Sequence, residues 1–208
     1  MKSVPSLLPN NRHTDTPSSR GKPAFHPERF TLRNGLTLLL AENSTLPALS
    51  LSISLRSGAR ADPEERAGTA VLLSRLLDEG TATRSSLEIA EAIESVGGAI
   101  DCDCSYERVS AFLGVLSKDI DLGLGLVADI VMHPVLGEEA LAKERDRVLA
   151  EIRSATDRPQ TVAGWEFNEL VYRDHPLHRP VHGYPHTIEK ISSGDLREFH
   201  NRHFYPNN

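Results

Sequence analysis

A chain of 208 residues, 39% of them hydrophobic, has material for one core of ordinary size, and a single globular unit is expected. Its 23 basic and 29 acidic residues leave a net charge of −6 with the signs interspersed, which argues against a nucleic-acid surface, where clustered Lys and Arg neutralise phosphates. No apolar run reaches the roughly 18 residues a membrane helix needs, and residues 1–11 lack the apolar stretch of a secretory signal, so no membrane partner is expected and the cytoplasm is the default compartment.

Residues 1–24 are rich in Pro, Ser, Thr, Asn and Arg and poor in apolar side chains, the composition of a flexible N-terminal arm. From residue 25 the pattern changes to that of a folded domain, 25–208. FTLR at 30–33 runs into Asn34-Gly35 and then LTLLL, which predicts a β-hairpin. LSLSISL at 49–55 alternates apolar residues with serine, as a strand covered on one face does. Residues 56–67, with Gly58 and Asp62-Pro63, form a loop into a first helix from Gly68 to about Asp78.

SSLEIAEAIESV at 85–96 carries a serine cap, an apolar face and a Gly97-Gly98 stop, so a second helix is expected there. Strands follow at 99–104 and 108–116, then a helix over 119–132 that His133-Pro134 stops. The longest helix covers 138 to about 156, with two acids in its first turn where the macrodipole favours them. A further helix over 160–172, a Pro-rich loop over 174–186 and a last helix over 193–203 complete the chain. Paired strands followed by runs of helices predict an α+β domain, an antiparallel sheet with helices packed on one face.

The most informative stretch is GTAVLLSRLLDEGT, residues 68–81. It resembles the metal-binding helix of the insulinase/pitrilysin family of zinc peptidases, G-x-A-H-x-x-E-H-x-x-x-x-G-T, where two histidines of H-x-x-E-H bind zinc and the glutamate activates water. Gly68, Ala70, Gly80 and Thr81 fit that pattern, but the histidine positions hold Val71 and Arg75 and the glutamate position holds Ser74. Five further segments resemble the family in the right order: FTLRNGLTLLLAEN, SLRSGARADPEERAG, LEIAEAIESVGGAIDC, and the pair ERDRVLAEIRSATDRP and HPLHRPVHGYPHTIEKISSGDLREFHNRHFYPNN near the end.

The resemblance implies an insulinase/mitochondrial-processing-peptidase-like N-terminal domain. It also implies that Glu151, on the long helix, matches the family's third zinc ligand, and that Glu144 matches an accessory acid. One ligand of three does not hold zinc, since a catalytic site needs about three protein ligands. No cofactor is therefore expected, although zinc is the family's. Positions 71, 74 and 75 share one helix face. A guanidinium at position 75 suits a planar pair with the Glu151 carboxylate, so a salt bridge in place of the metal is one expectation. The other is that Arg75 snorkels to solvent and Glu151 is simply solvated.

Other candidates are weaker. His175, His178, His182 and His186 cluster in sequence, but Pro176, Pro180 and Pro185 forbid a helix that would bring them together. Ser74 has no nucleophile elbow around it, and Gly123 and Gly125 lack the strand that a nucleotide-binding turn requires. Cys102 and Cys104, two apart in a strand, are expected as buried free thiols. The expected role is that of a non-catalytic family member that forms a peptide-binding chamber with an active subunit or a C-terminal domain; the family segment ending at Pro206-Asn207-Asn208 suggests a domain incomplete at its C-terminus. The alternative is an active zinc metalloendopeptidase that uses Glu151 with relocated ligands such as the loop histidines.

Overall fold

The computed structural model describes residues 27–208, so the expected N-terminal arm lies outside the described residues. Two strands, β1 (Glu28–Thr31) and β2 (Thr37–Leu40), form an antiparallel hairpin. Its turn is one residue longer than a bare Asn-Gly turn. Leu32 N–H donates to the Leu36 carbonyl at 2.8 Å and Gly35 N–H to the Leu32 carbonyl at 2.9 Å, so residues 33–35 form the loop and Gly35 takes a positive φ of 89°. This is a type I turn closed by a left-handed glycine, a form whose twist matches that of the strands.

The hairpin is a sheet of its own. The main sheet has three antiparallel strands in the order β3 (Ala48–Leu55), β5 (Val109–Leu116), β4 (Ala99–Cys104). Its register pairs Ile53 with Ala111 and Ala111 with Cys102, so Leu51, Ile53, Leu113, Ile100 and their neighbours share one face. The other face carries Ser50, Ser52, Asp101, Asp103 and Phe112. The strict alternation of β3 is thus real two-sidedness: apolar side chains meet helices and serines do not.

The helices are α1 (Thr69–Leu76), α2 (Ser86–Ser95), α3 (Ile120–Met132), α4 (Glu138–Thr156), α5 (Pro159–Tyr172), a short α6 (Pro185–Ile188) and α7 (Ser193–His203). Sequence chemistry accounts for their ends. Ser85 and Glu88 form a reciprocal capping box on α2, and Ser192 and Asp195 do the same on α7. After α2, Gly97 turns left-handed at φ 65° and Gly98 N–H donates to the Ile93 carbonyl at 3.0 Å, closing the helix. The Pro-rich stretch expected as a loop contains a 3-10 turn (Pro176–His178) and α6, because proline at the first helical position costs no hydrogen bond.

Two cores result. In one, α2 and α3 cover the inner sheet face through Ile89, Ile93, Leu113, Leu126 and Ile130. In the other, α1 is enclosed by α4, α6 and α7 through Leu72, Leu73, Leu76, Leu141, Val148 and Ile188. Cys102 lies where the two meet. Both cysteines are half-buried and unpaired. Burial pushes the Cys102 thiol far up and the Cys104 thiol up to about 12, so both stay protonated and unreactive. Among the described residues, no helix is long and apolar enough to cross a membrane.

Candidate functional site

The site is built on α1, and the start of α1 is fixed from outside the helix. Asp62, only 5% exposed, accepts hydrogen bonds from the Gly68 amide at 2.7 Å and the Ala70 amide at 2.9 Å. A carboxylate six residues upstream thus does the work of an N-cap, satisfying amides that the helix leaves unpaired. Burial pushes the Asp62 carboxyl up to about 7, against the opposing pull of those amides and of the Arg179 guanidinium. Arg179, itself buried, donates from Nη2 to the Asp62 carbonyl at 3.1 Å.

The loop between α5 and α6, together with α6 itself, presses on the same point. Thr187 Oγ1 donates to the Ala67 carbonyl at 2.7 Å. Gly183 has φ 70°, and a Cβ there would lie 2.1 Å from the Ala67 carbonyl oxygen; a Cβ on Gly68, at φ 99°, would lie 2.8 Å from the His182 carbonyl oxygen. Two backbones touch here, which only glycine allows. Beyond the far end of α1, Asp129 on α3 accepts from Thr81 Oγ1 at 2.8 Å, Thr83 Oγ1 at 2.9 Å and Arg84 Nη1 at 2.7 Å.

Between these anchors lie the three positions that the sequence singles out. Val71 is 3% exposed and packs in the core around α1. Ser74 is buried, and its hydroxyl donates back to the Val71 carbonyl at 2.8 Å, an internal bond of the helix rather than an aimed nucleophile. Arg75 reaches α4: its Nη1 donates to Glu151 Oε1 at 2.9 Å and its Nη2 to Glu151 Oε2 at 2.6 Å. The pair is bidentate, the geometry that a planar guanidinium makes with a carboxylate. Glu144, two turns earlier on the same side of α4 and 3% exposed, has an oxygen 3.9 Å from Arg75 Nη1 and accepts a hydrogen bond from Arg147 Nη1. Its buried charge is thereby shared between two guanidinium groups, as a carboxylate away from water requires.

His182 completes the cluster, with Nε2 3.5 Å from Glu151 Oε2. Burial holds its pKa below the usual imidazole range while Glu151 pulls the other way, and Arg75 adds to the depression. The other loop histidines are dispersed. His175 Nδ1 accepts from the Leu177 amide at 3.2 Å, His178 Nδ1 meets Glu169 at 2.7 Å, and His186 stacks on Tyr184.

These residues do not fit a zinc ion. Val71 offers no donor atom, Ser74 spends its hydroxyl within the helix, and the coordinating edge of Glu151 is filled by a guanidinium that carries its own positive charge. Of the metal-ligating types, Glu151 and His182 adjoin there and Glu144 lies beside Arg75, but among the described residues no group of three or more His, Cys, Asp or Glu side chains is placed to hold a metal. A tetrahedral catalytic zinc takes about three such ligands. The structure therefore brings Arg75, Glu144 and Glu151 together, with Val71 and Ser74 beside them inside the core. Sequence reasoning missed Asp62, Arg179 and Gly183; the single available signal was the Asp62-Pro63 turn, six residues ahead of the helix.

The insulinase (peptidase family M16) model matches residues 37–184. An uncharacterized zinc protease of Mycobacterium leprae is 32% identical over 178 residues, which are 86% of this chain and 40% of the relative. One from Rickettsia felis is 29% identical over 177 residues, 85% of this chain and 43% of the relative. The chain thus spans less than half the length of the curated relatives it matches. Among solved structures, the peptidase M16 inactive domain from Pseudomonas fluorescens superposes with a TM-score of 0.80 at 25% identity, covering 84% of this chain and 43% of that one. Pitrilysin shares the fold, with a TM-score of 0.75 at 22% identity over 90% of this chain and 22% of that one. By the family match over most of its length, the chain belongs to the insulinase family, peptidase family M16.

Proposed function

We propose that this chain is a non-catalytic insulinase-family domain that helps to form a peptide-holding chamber together with an active subunit or a further domain. The observation that carries this reading is the bidentate contact of Arg75 with Glu151, which puts a fixed cation where family chemistry needs a metal and leaves neither a water-activating carboxylate nor a second ligand on α1. Two further findings support it. The solved relative from Pseudomonas fluorescens is described as an inactive domain, and the matched relatives are more than twice as long as the aligned region, as expected of a domain that works beside another.

The test is metal analysis and peptide hydrolysis on the purified full chain after incubation with zinc. No stoichiometric zinc and no cleavage are expected. The triple variant V71H/S74E/R75H should acquire zinc that is lost again when Glu151→Ala is added, because the helix face and α4 already stand in register. Stoichiometric zinc in the unmodified chain, lost in Glu151→Ala, would instead support an active metalloendopeptidase with relocated ligands, for which His182 is the nearest donor. Peptide affinity measured alone and with an active homologous subunit tests the chamber: a pair that binds peptide no better than the active subunit alone would reduce this chain to a scaffold.

A further inference from the structure

Helix α5 is anomalous in this fold, because none of its 14 residues is buried. Its inward side rests on the body through partly covered residues, Val162, Trp165 and Asn168. Its outward side is apolar. Phe167 is 63% exposed, Leu170 69% and Val171 54%, and with Ala163 they fall at the i, i+4, i+7, i+8 spacing of one stripe. Four turns of helix with such a stripe form an interface seeking a cover.

The stripe is graded in size, and the grading identifies the cover. Its N-terminal half is small, Ala163 and Gly164; its C-terminal half is large, Leu170 and Val171; Phe167 lies midway. A Cβ on Gly164 would meet nothing within 4 Å, so no contact inside the fold accounts for a glycine in the middle of a helix, where it is costly relative to alanine. A space kept open toward the outside suits a side chain arriving from elsewhere. We propose that α5 is a self-association surface, which pairs antiparallel with α5 of a second copy of this chain across a twofold axis near Phe167. In that arrangement the large end of each stripe faces the small end of the other: Leu170 opposes Gly164 and Val171 opposes Ala163, the interdigitation by which helices pack closely. A parallel pairing would set large against large and leave a gap at the other end.

Charge agrees with the same direction. Asp174 lies two residues beyond the C-terminal end of α5, and antiparallel pairing brings that end beside the N-terminal turn of the partner helix, whose free amides and dipole favour an acid. The interface is isologous, the form that closes on two copies. Two short helices bury less than the roughly 1,200 Å² of a standard interface, so the dimer is weak, with a Kd on the order of 10–100 µM. This inference does not depend on the chamber reading.

Sedimentation of the full chain from about 5 to about 300 µM, a range chosen to bracket that Kd, tests it. The unmodified chain should move reversibly from monomer to dimer, and Phe167→Glu and Gly164→Leu should each stay monomeric with no loss of melting temperature, because both positions face solvent in the monomer. Orientation is read by disulfide trapping: Phe167→Cys should couple to itself, and a mixture of Ala163→Cys with Val171→Cys should couple to each other faster than either couples to itself. A chain monomeric throughout, a dimer that survives Phe167→Glu, preferential self-coupling at position 163, or a large drop in melting temperature in Phe167→Glu would each overturn the proposal, the last because it would mean that the stripe is covered within one chain.

Discussion

The two ends of α1 and its middle are held in different ways. At the ends, the helix is fixed by groups that belong to the fold: Asp62 on the first amides, Thr187 and Gly183 against Ala67, Asp129 against the Thr81 loop. In the middle, α1 meets α4 through the Arg75–Glu151 ion pair, beside buried Val71 and Ser74. The contrast separates what holds the helix in place from what its contact with α4 adds. Orientation rests on the mount and on a core of Leu72, Leu73, Leu76 and Leu77, none of which touches the chemistry.

If the mount carries the orientation, damage there should cost most. Gly183→Ala drives a methyl group into the Ala67 carbonyl and adds a side chain at positive φ, with no flexible neighbour to yield. A loss of about 3 kcal/mol or more is expected in chemical denaturation, the range of a backbone clash combined with conformational strain. A loss under about 1 kcal/mol would show that the loop carrying Gly183 is not part of the mount.

Asp62 gives the comparison a pH axis. Its folded pKa, raised to about 7, lies above its ordinary value of 3.8, so between those values the folded chain holds a proton that the unfolded chain has released. Stability from this group is therefore fully present below about pH 4 and declines as pH rises through about 7. Asp62→Asn cannot titrate, so the stability difference between the two proteins, measured from pH 5 to 8, should shift in favour of the variant as pH rises. A pH-independent difference would mean that the amides and Arg179 hold the carboxylate ionised throughout.

Much of this was readable in the chain, and the exceptions have a common cause. The capping serines, the Gly97-Gly98 stop, the alternating β3 and the long α4 declare themselves because their determinants are local: a cap and its amide are three residues apart, and a strand's two faces alternate at once. Positions 71, 74, 75 and Glu151 were singled out by a family resemblance, and of the two readings of Arg75 and Glu151 the structure shows the pair. Asp62 was invisible as a cap because it acts from six residues upstream, across a 3-10 turn, and Gly183 because its partner Ala67 is remote in sequence. The hairpin turn differed by one residue because Asn-Gly serves both the two-residue turn and the three-residue loop with a left-handed third residue. Nothing local showed that α5 would be left uncovered, since exposure is a property of the neighbours a helix does not have.

The smallest expected effect belongs to the ion pair, and its smallness is the point. Glu151 is 46% exposed and Arg75 27%, so water screens their attraction even though the geometry is bidentate. A double-mutant cycle on Arg75→Met and Glu151→Gln should return a coupling of about 0.5–1 kcal/mol, at the upper end for exposed pairs. Arg75→Met alone should cost more than Glu151→Gln alone, because it also removes one of the two guanidinium groups facing the buried carboxylate of Glu144, leaving Arg147 as its sole partner. If the order is reversed, the cation at position 75 serves Glu151 alone and Glu144 draws nothing from it. If the coupling exceeds about 3 kcal/mol, the pair lies outside the range of screened surface contacts and bears on the orientation of α1 as strongly as Gly183 does. The division between a mount that holds the helix and an ion pair that adds little would then have to be redrawn.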